Sequence, residues 1–196
     1  PAVVAGSYGP ICEGETVTFN ASGADSYVWS PITELSSFNV ANPIFSPSGD
    51  GSFTYSVTGT DANGCVNTGQ TTVVVEPVPT PTFSANAVCI GDTMLFNNQS
   101  TPTVGVTYLW SFGDGQSSTD LSPEILYQSE GEFDVVLNVT WGNCSAQTTD
   151  QVTVNPRPQS SFLATPTYTT AIEPLINFED LSLNAVEWEW NFGDFT

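Results

Sequence analysis

The sequence predicts an all-β protein of tandem antiparallel β-sandwiches. Three observations carry this: a self-repeat of about 80 residues, apolar and polar residues alternating with a period of two, and one cysteine pair in each full repeat. The repeat is visible in independent landmarks. Trp29, Trp110 and Trp190 are spaced by 81 and 80 residues, Cys12 and Cys89 by 77, Cys65 and Cys144 by 79, and Phe53 and Phe133 by 80. A period of that length is too long for a solenoid unit and suits a whole small domain. The expected organisation is a first sandwich over 1–77, a second over 78–156, and the N-terminal part of an incomplete third over 157–196. Pro-rich stretches at Glu76–Pro81 and Asn155–Pro158 mark the boundaries and read as short, semi-rigid linkers. The Trp190 motif stands at the end of the chain, whereas its counterpart at Trp110 is followed by the rest of a domain, so a longer natural protein is expected.

Each element reads as a strand. Ile11 to Phe19 aligns with Val88 to Phe96, Tyr27-Val28-Trp29-Ser30 with Tyr108-Leu109-Trp110-Ser111, and Gly51 to Val57 with Gly131 to Leu137. In the last of these, Phe133, Val135, Leu137 and Val139 alternate with Asp134, Val136, Asn138 and Thr140. Asp61-Ala62-Asn63-Gly64 signals a hairpin, because Asn-Gly tolerates positive φ at both turn positions. No stretch has the length and periodicity of an amphipathic helix. Trp29 and Trp110 fall in mid-strand and are expected in the cores, packed against an inter-sheet disulfide. Trp188 and Trp190 share one strand face by parity and are expected to point inward together, while Trp141 falls at a hairpin and is expected to be exposed.

Four cysteines allow three pairings. Repeat symmetry favours Cys12 with Cys65 and Cys89 with Cys144, a bond inside each sandwich. The absence of His and of any CxxC spacing argues against a metal site and leaves no usual base for a catalytic thiol. Disulfides place the chain in an oxidising compartment. The third repeat carries Thr169 and Thr170 near the first cysteine position and is expected to lack the bond.

The charge balance excludes whole classes of partner. There are 21 acidic residues against one basic residue, Arg157, for a net charge of -20. Such a surface repels nucleic acid and anionic lipid, because nothing is available to neutralise phosphates. No apolar run approaches the ~20 residues of a membrane span, so no direct membrane insertion is expected. Catalysis within these residues is not expected: the sequence has no His, no Lys and no Gly-x-Ser-x-Gly elbow. Calcium is the remaining cofactor candidate, with Asp92, Asp114 and Asp120 as its ligands. The competing reading of Asp114 is a turn-closing Asx hydrogen bond.

Trp110-Ser111-Phe112-Gly113-Asp114-Gly115, followed by Tyr127 and Gly131-Glu132-Phe133-Asp134-Val135, resembles the signature of the polycystic kidney disease (PKD) domain. Trp190-Asn191-Phe192-Gly193-Asp194 repeats the motif with Phe195 where Gly is usual. The first repeat departs from it after Trp29-Ser30-Pro31. It is similar instead to the divergent immunoglobulin-like and PKD-like modules of large Bacteroidetes surface proteins. The resemblance implies tandem Ig-like/PKD sandwiches in a secreted or surface-exposed protein exported through an oxidising periplasm. It further implies a stalk, spacer or adhesive role like that of gliding-motility adhesins and other cargo of the type IX secretion system. Partners would be other domains of the same chain, outer-membrane secretion or motility machinery, and surface glycans or proteins. Asp92-Thr93-Met94 resembles the short O-glycosylation motif of the same bacteria. The alternative is an accessory region of a secreted hydrolase, a protease or glycosidase, because PKD modules often flank catalytic domains.

Overall fold

The first repeat contains β1 (Val4–Ala5), β2 (Ile11–Cys12), β3 (Val17–Thr18), β4 (Ala21–Ser22), β5 (Ser26–Ser30), β6 (Ile44–Phe45), β7 (Gly51–Thr60) and β8 (Val66–Glu76) in a computed structural model that describes residues 1–170, 172 and 175–193. A four-stranded sheet in the order β2-β8-β7-β5 faces the short pairs β3-β6 and β1-β4. The period-two pattern does what it predicts. Tyr55 and Val57 on β7, and Val73 and Val75 on β8, are buried, while their neighbours along each strand are more exposed. Between the layers lies an aromatic core. Phe19 stands 5.3 Å from Trp29, 5.5 Å from Phe45 and 5.3 Å from Tyr55, centroid to centroid.

One pairing in each full repeat departs from the purely antiparallel sandwich that the sequence predicts. The first strand is broken. β1 pairs antiparallel with β4, and the chain then crosses to the other sheet, where β2 lies parallel to the end of β8, Ile11 beside Val75 and Cys12 beside Glu76. Tyr8 occupies the crossing. Its ring stacks on Phe19 at 5.1 Å and its hydroxyl accepts the Asn20 N–H at 2.5 Å. Because the chain crosses without reversing, the second half of the strand runs with β8 rather than against it.

The second repeat reproduces the plan with β9 (Phe83–Ala85), β10 (Val88–Cys89), β11 (Met94–Asn98), β12 (Val106–Ser111), β13 (Ser117–Ser118), β14 (Glu124–Ile125), β15 (Gly131–Trp141) and β16 (Cys144–Asn155). The sheet order is β10-β16-β15-β12-β13 in one layer and β14-β11-β9 in the other. Here too the broken first strand leaves a parallel pair, Val88 beside Val154 and Cys89 beside Asn155. The third repeat supplies β17 (Phe162–Thr165) and β18 (Asn177–Asp180), paired antiparallel. Asp194 and Phe195 of its motif lie outside the described residues.

Contacts do not divide the chain at the repeat boundaries. One compact unit holds 1–84, 96–123 and 135–150; the other holds 85–95, 124–134 and 151–196. The repeats are units of sequence and strand order. Cys12 and Cys144, which are disulfide-bonded, both fall in the first unit.

Candidate functional site: a covalent joint

The predicted cysteine pairing is overturned. Cys12 is bonded to Cys144, with Cα atoms 5.6 Å apart across 132 residues of sequence, and Cys65 and Cys89 are free. The strand register explains why the bonds within each repeat do not form. Cys12 lies beside Glu76, the last residue of β8, whereas Cys65 immediately precedes Val66, the first. A strand of that length separates them by about 35 Å, while a disulfide needs Cα atoms within about 7 Å. Cys144 begins β16 and Cys89 lies beside Asn155, which ends it, so the second predicted pair is divided in the same way.

The exit of the first repeat and the hairpin tip of the second therefore meet. At the exit, the Glu13 N–H donates to the Glu76 carbonyl at 2.8 Å, closing the parallel pair beyond Cys12. The Glu76 side chain reaches over the tip, and its Oε2 accepts the Asn143 N–H at 3.0 Å. The neighbouring Gly142 has φ 56°, and the Glu76 carboxylate fills the space its Cβ would occupy. Gly142 is thus required twice, for backbone conformation and for close approach. Cys144 is buried at 1% exposure, its sulfur 3.8 Å from the Glu76 carbonyl oxygen. Bond, carboxylate and glycine together make a joint whose parts come from sequence positions far apart. Sequence reading found both cysteines of the joint and missed Glu76, Gly142 and Asn143. Their only signal was adjacency to a linker and to a cysteine.

The remaining predicted residues sit in cores and turns. Trp29 and Trp110 are both fully buried, and each uses its indole N–H alike. Trp29 Nε1 donates to the Val40 carbonyl and Trp110 Nε1 to the Asp120 carbonyl, both at 2.9 Å. Neither packs on an inter-sheet disulfide; aromatic rings take that place. Around Trp110 these are Phe83 at 5.2 Å, Phe96 at 5.5 Å and Phe112 at 6.2 Å. Tyr127 is buried and stacks on Phe133 at 4.3 Å. Trp141 ends β15 opposite Val106 and is half-buried rather than exposed. In the third repeat, Trp190 and Phe192 keep the geometry of Trp110 and Phe112, 6.1 Å apart at 7°, with Phe162 and Phe178 against Trp190. Trp188 does not point inward with Trp190: it is 59% exposed. The groove lined by Phe162, Phe178, Trp190 and Phe192 is the counterpart of the second repeat's core, lacking among the described residues the long strands that cover Trp110.

The Gly113-Asp114-Gly115 turn is closed from within. Asp114 Oδ1 accepts the Gln116 N–H at 2.9 Å, and both glycines take positive φ, 80° and 93°. The hairpin of the first repeat centres on Asp61. Its Oδ1 accepts the N–H groups of Asn63 and Cys65, both at 2.9 Å, and Gly64 takes φ 79°. The turn is therefore longer than a two-residue Asn-Gly loop. The three carboxylates considered for calcium are used separately. Asp92 pairs with Arg157, Asp114 holds Gln116, and Asp120 accepts from the Ser118 hydroxyl at 3.1 Å. Among the described residues no three acidic or cysteine side chains gather as a metal site would require, and no helix is long and apolar enough to cross a membrane.

Comparison with known proteins bears on the second repeat. Residues 74–156 match the family model of the PKD domain. The chain is 40% identical over 75 residues to a microbial collagenase of Vibrio alginolyticus, a stretch covering 36% of this chain and 9% of that protein. It is 36% identical over 77 residues to the pre-pro-metalloprotease PrtV of Vibrio cholerae, covering 36% of the chain and 8% of the relative. The chain thus spans under a tenth of the length of these curated relatives. Among solved structures, the PKD1 domain of Vibrio anguillarum Epp is 28% identical with a TM-score of 0.38, over 41% of this chain and 96% of that one. Extracellular domains 3-5 of Drosophila OTK are 12% identical with a TM-score of 0.55, over 76% of this chain and 59% of that one. The last likeness is one of fold: tandem Ig-like sandwiches.

Proposed function

We propose that this chain is a non-catalytic accessory region of a secreted multidomain hydrolase, in which PKD-type sandwiches hold the catalytic part at a set distance and orientation from what it acts on. The observation that carries the reading is the 40% identity to a stretch of a microbial collagenase, supported by similar identity to a pre-pro-metalloprotease. The chain itself supplies structure rather than chemistry. Its buried groups are mostly aromatic and aliphatic, and its motif residues close turns and fill cores. The Cys12–Cys144 bond suits a positioning role, because a disulfide at a module junction removes hinge freedom there. It also suits an extracytoplasmic setting, where such bonds persist.

A second reading keeps the same modules in a long surface stalk or adhesin, exported by a type IX system and linked to gliding. The recurrence of the core motif at Trp190 favours it, since an array that goes on repeating serves reach. One experiment addresses both. Antibody raised against residues 78–156 recovers the native polypeptide from culture medium and from the cell surface of the producing organism. A released polypeptide that digests gelatin, and stops doing so with a metal chelator, supports the accessory region. A cell-bound polypeptide without hydrolytic activity overturns that reading in favour of the stalk.

A further inference from the structure

Cys65 and Cys89 occupy the two kinds of position that the observed bond joins. Cys12 and Cys89 are exit cysteines: each lies beside the last residue of its repeat's longest strand, Glu76 or Asn155. The turn after each is the same. The Glu15 N–H donates to the Cys12 carbonyl at 2.9 Å and the Asp92 N–H to the Cys89 carbonyl at 3.0 Å, with Gly14 and Gly91 at φ 85° and 88°. The next residue, Glu13 or Ile90, donates in both cases to the carbonyl of the strand's last residue, at 2.8 Å. Cys144 and Cys65 are tip cysteines, standing at the start of β16 and just before β8. The observed rule is exit cysteine of one repeat to tip cysteine of the next. Under that rule each full repeat has one half of a joint left over, an exposed tip thiol at Cys65 and a partly exposed exit thiol at Cys89.

We propose that Cys65 and Cys89 are complementary halves of a second joint of this kind, so that the Cys89 exit bonds the hairpin-tip thiol of another module of the same build. In this chain the tip thiol available is Cys65 of a second copy. The chemistry is thiol–disulfide exchange with a disulfide oxidant of the glutathione class. The Cys65 thiolate attacks one sulfur of the oxidant and expels a glutathione thiolate. The Cys89 thiolate then attacks the Cys65 sulfur and expels the second. Two protein thiols are oxidised to one S–S bond, and one glutathione disulfide is reduced to two thiols. The first repeat's tip is longer than the second's, which presents Cys65 more openly than the buried Cys144.

The test uses the full chain as two variants, C65S carrying only the exit thiol and C89S carrying only the tip thiol. Both are incubated with glutathione disulfide at about 1 M salt, where screening to about 3 Å suppresses repulsion between acidic copies. The equimolar mixture is expected to give at least tenfold more disulfide-linked dimer than either variant alone, with a Cys65–Cys89 peptide on non-reducing mapping. Each variant alone is expected to stop at the glutathione adduct. Homodimers as abundant as the mixed dimer overturn the complementarity. Glutathione adducts at both thiols with no mixed dimer overturn the joint itself.

Discussion

Cys12 lies beside Glu76 at the exit of the first sandwich, and that same Glu76 reaches across to the Asn143 N–H next to Cys144. The disulfide and the carboxylate therefore clamp one hairpin tip from two adjacent positions on one strand pair. Non-reducing digestion is expected to yield a Cys12–Cys144 peptide, with Cys65 and Cys89 both open to alkylation in the chain given no added oxidant. Recovery of a Cys12–Cys65 peptide would sink the exit-to-tip register.

Removing the bond should cost stability chiefly through the unfolded chain. Closing a loop of 132 residues corresponds to about 5 kcal/mol in the chain-entropy treatment. The double variant Cys12→Ser with Cys144→Ser is expected to lose several kcal/mol in denaturant titration, with that figure as the ceiling. An unchanged midpoint would mean that the bond constrains nothing the folded contacts do not already hold.

Gly142→Ala tests the clamp without touching sulfur. The added Cβ meets the Glu76 carboxylate and must also adopt φ 56°. A loss of about 1–3 kcal/mol is expected from the backbone conformation and displaced carboxylate together. In a Glu76→Ala background, where the carboxylate is gone, Gly142→Ala carries the conformational cost alone and should lose less. Equal losses for the two would remove the carboxylate from the account.

Trp110→Ala should cost about 3–5 kcal/mol, since it empties a fully buried site and frees the Asp120 carbonyl. Trp110→Phe keeps much of the volume but loses the N–H and should cost less. The check is thermal unfolding followed by tryptophan fluorescence. A neutral alanine variant would exclude the core role.

Alkaline pH should loosen the first sandwich. Burial raises the Tyr8 and Tyr55 hydroxyls above the ordinary 10.0, and the Glu34 charge adds to the rise at Tyr55. The folded state thus favours the neutral phenol. That contribution is whole below the unfolded-chain value and is lost as pH climbs through the raised folded value. Phenolate absorbance should show Tyr8 and Tyr55 titrating late, and Tyr8→Phe should remove one late-titrating group. Tyrosines that all titrate together near the ordinary value would contradict the buried placement.

Much of the fold was legible because its causes are local in sequence. Alternation along Gly51–Thr60 and Gly131–Trp141 encodes a strand with one buried face wherever it is placed. An indole in mid-strand, repeated at the same spacing, has no cheaper place than a core. The Asp114 turn was legible for the same reason, since an Asx bond spans two residues. Trp188 was misplaced by parity, because parity assigns a face only where a strand exists, and residues 187–190 form none.

The sequence by itself determined the period, the strand faces, the aromatic cores and the positions of the cysteines. Only the tertiary structure decided which cysteine meets which. Repeat symmetry is satisfied equally by a bond inside every repeat and by a bond from each repeat to the next, so the symmetry cannot choose between them. The choice is made by strand direction. A broken first strand running parallel to the last one carries its cysteine to the exit end of the sheet, a full strand length from the cysteine at the tip. A disulfide spans a few ångströms, and across that strand only the neighbouring repeat comes within reach.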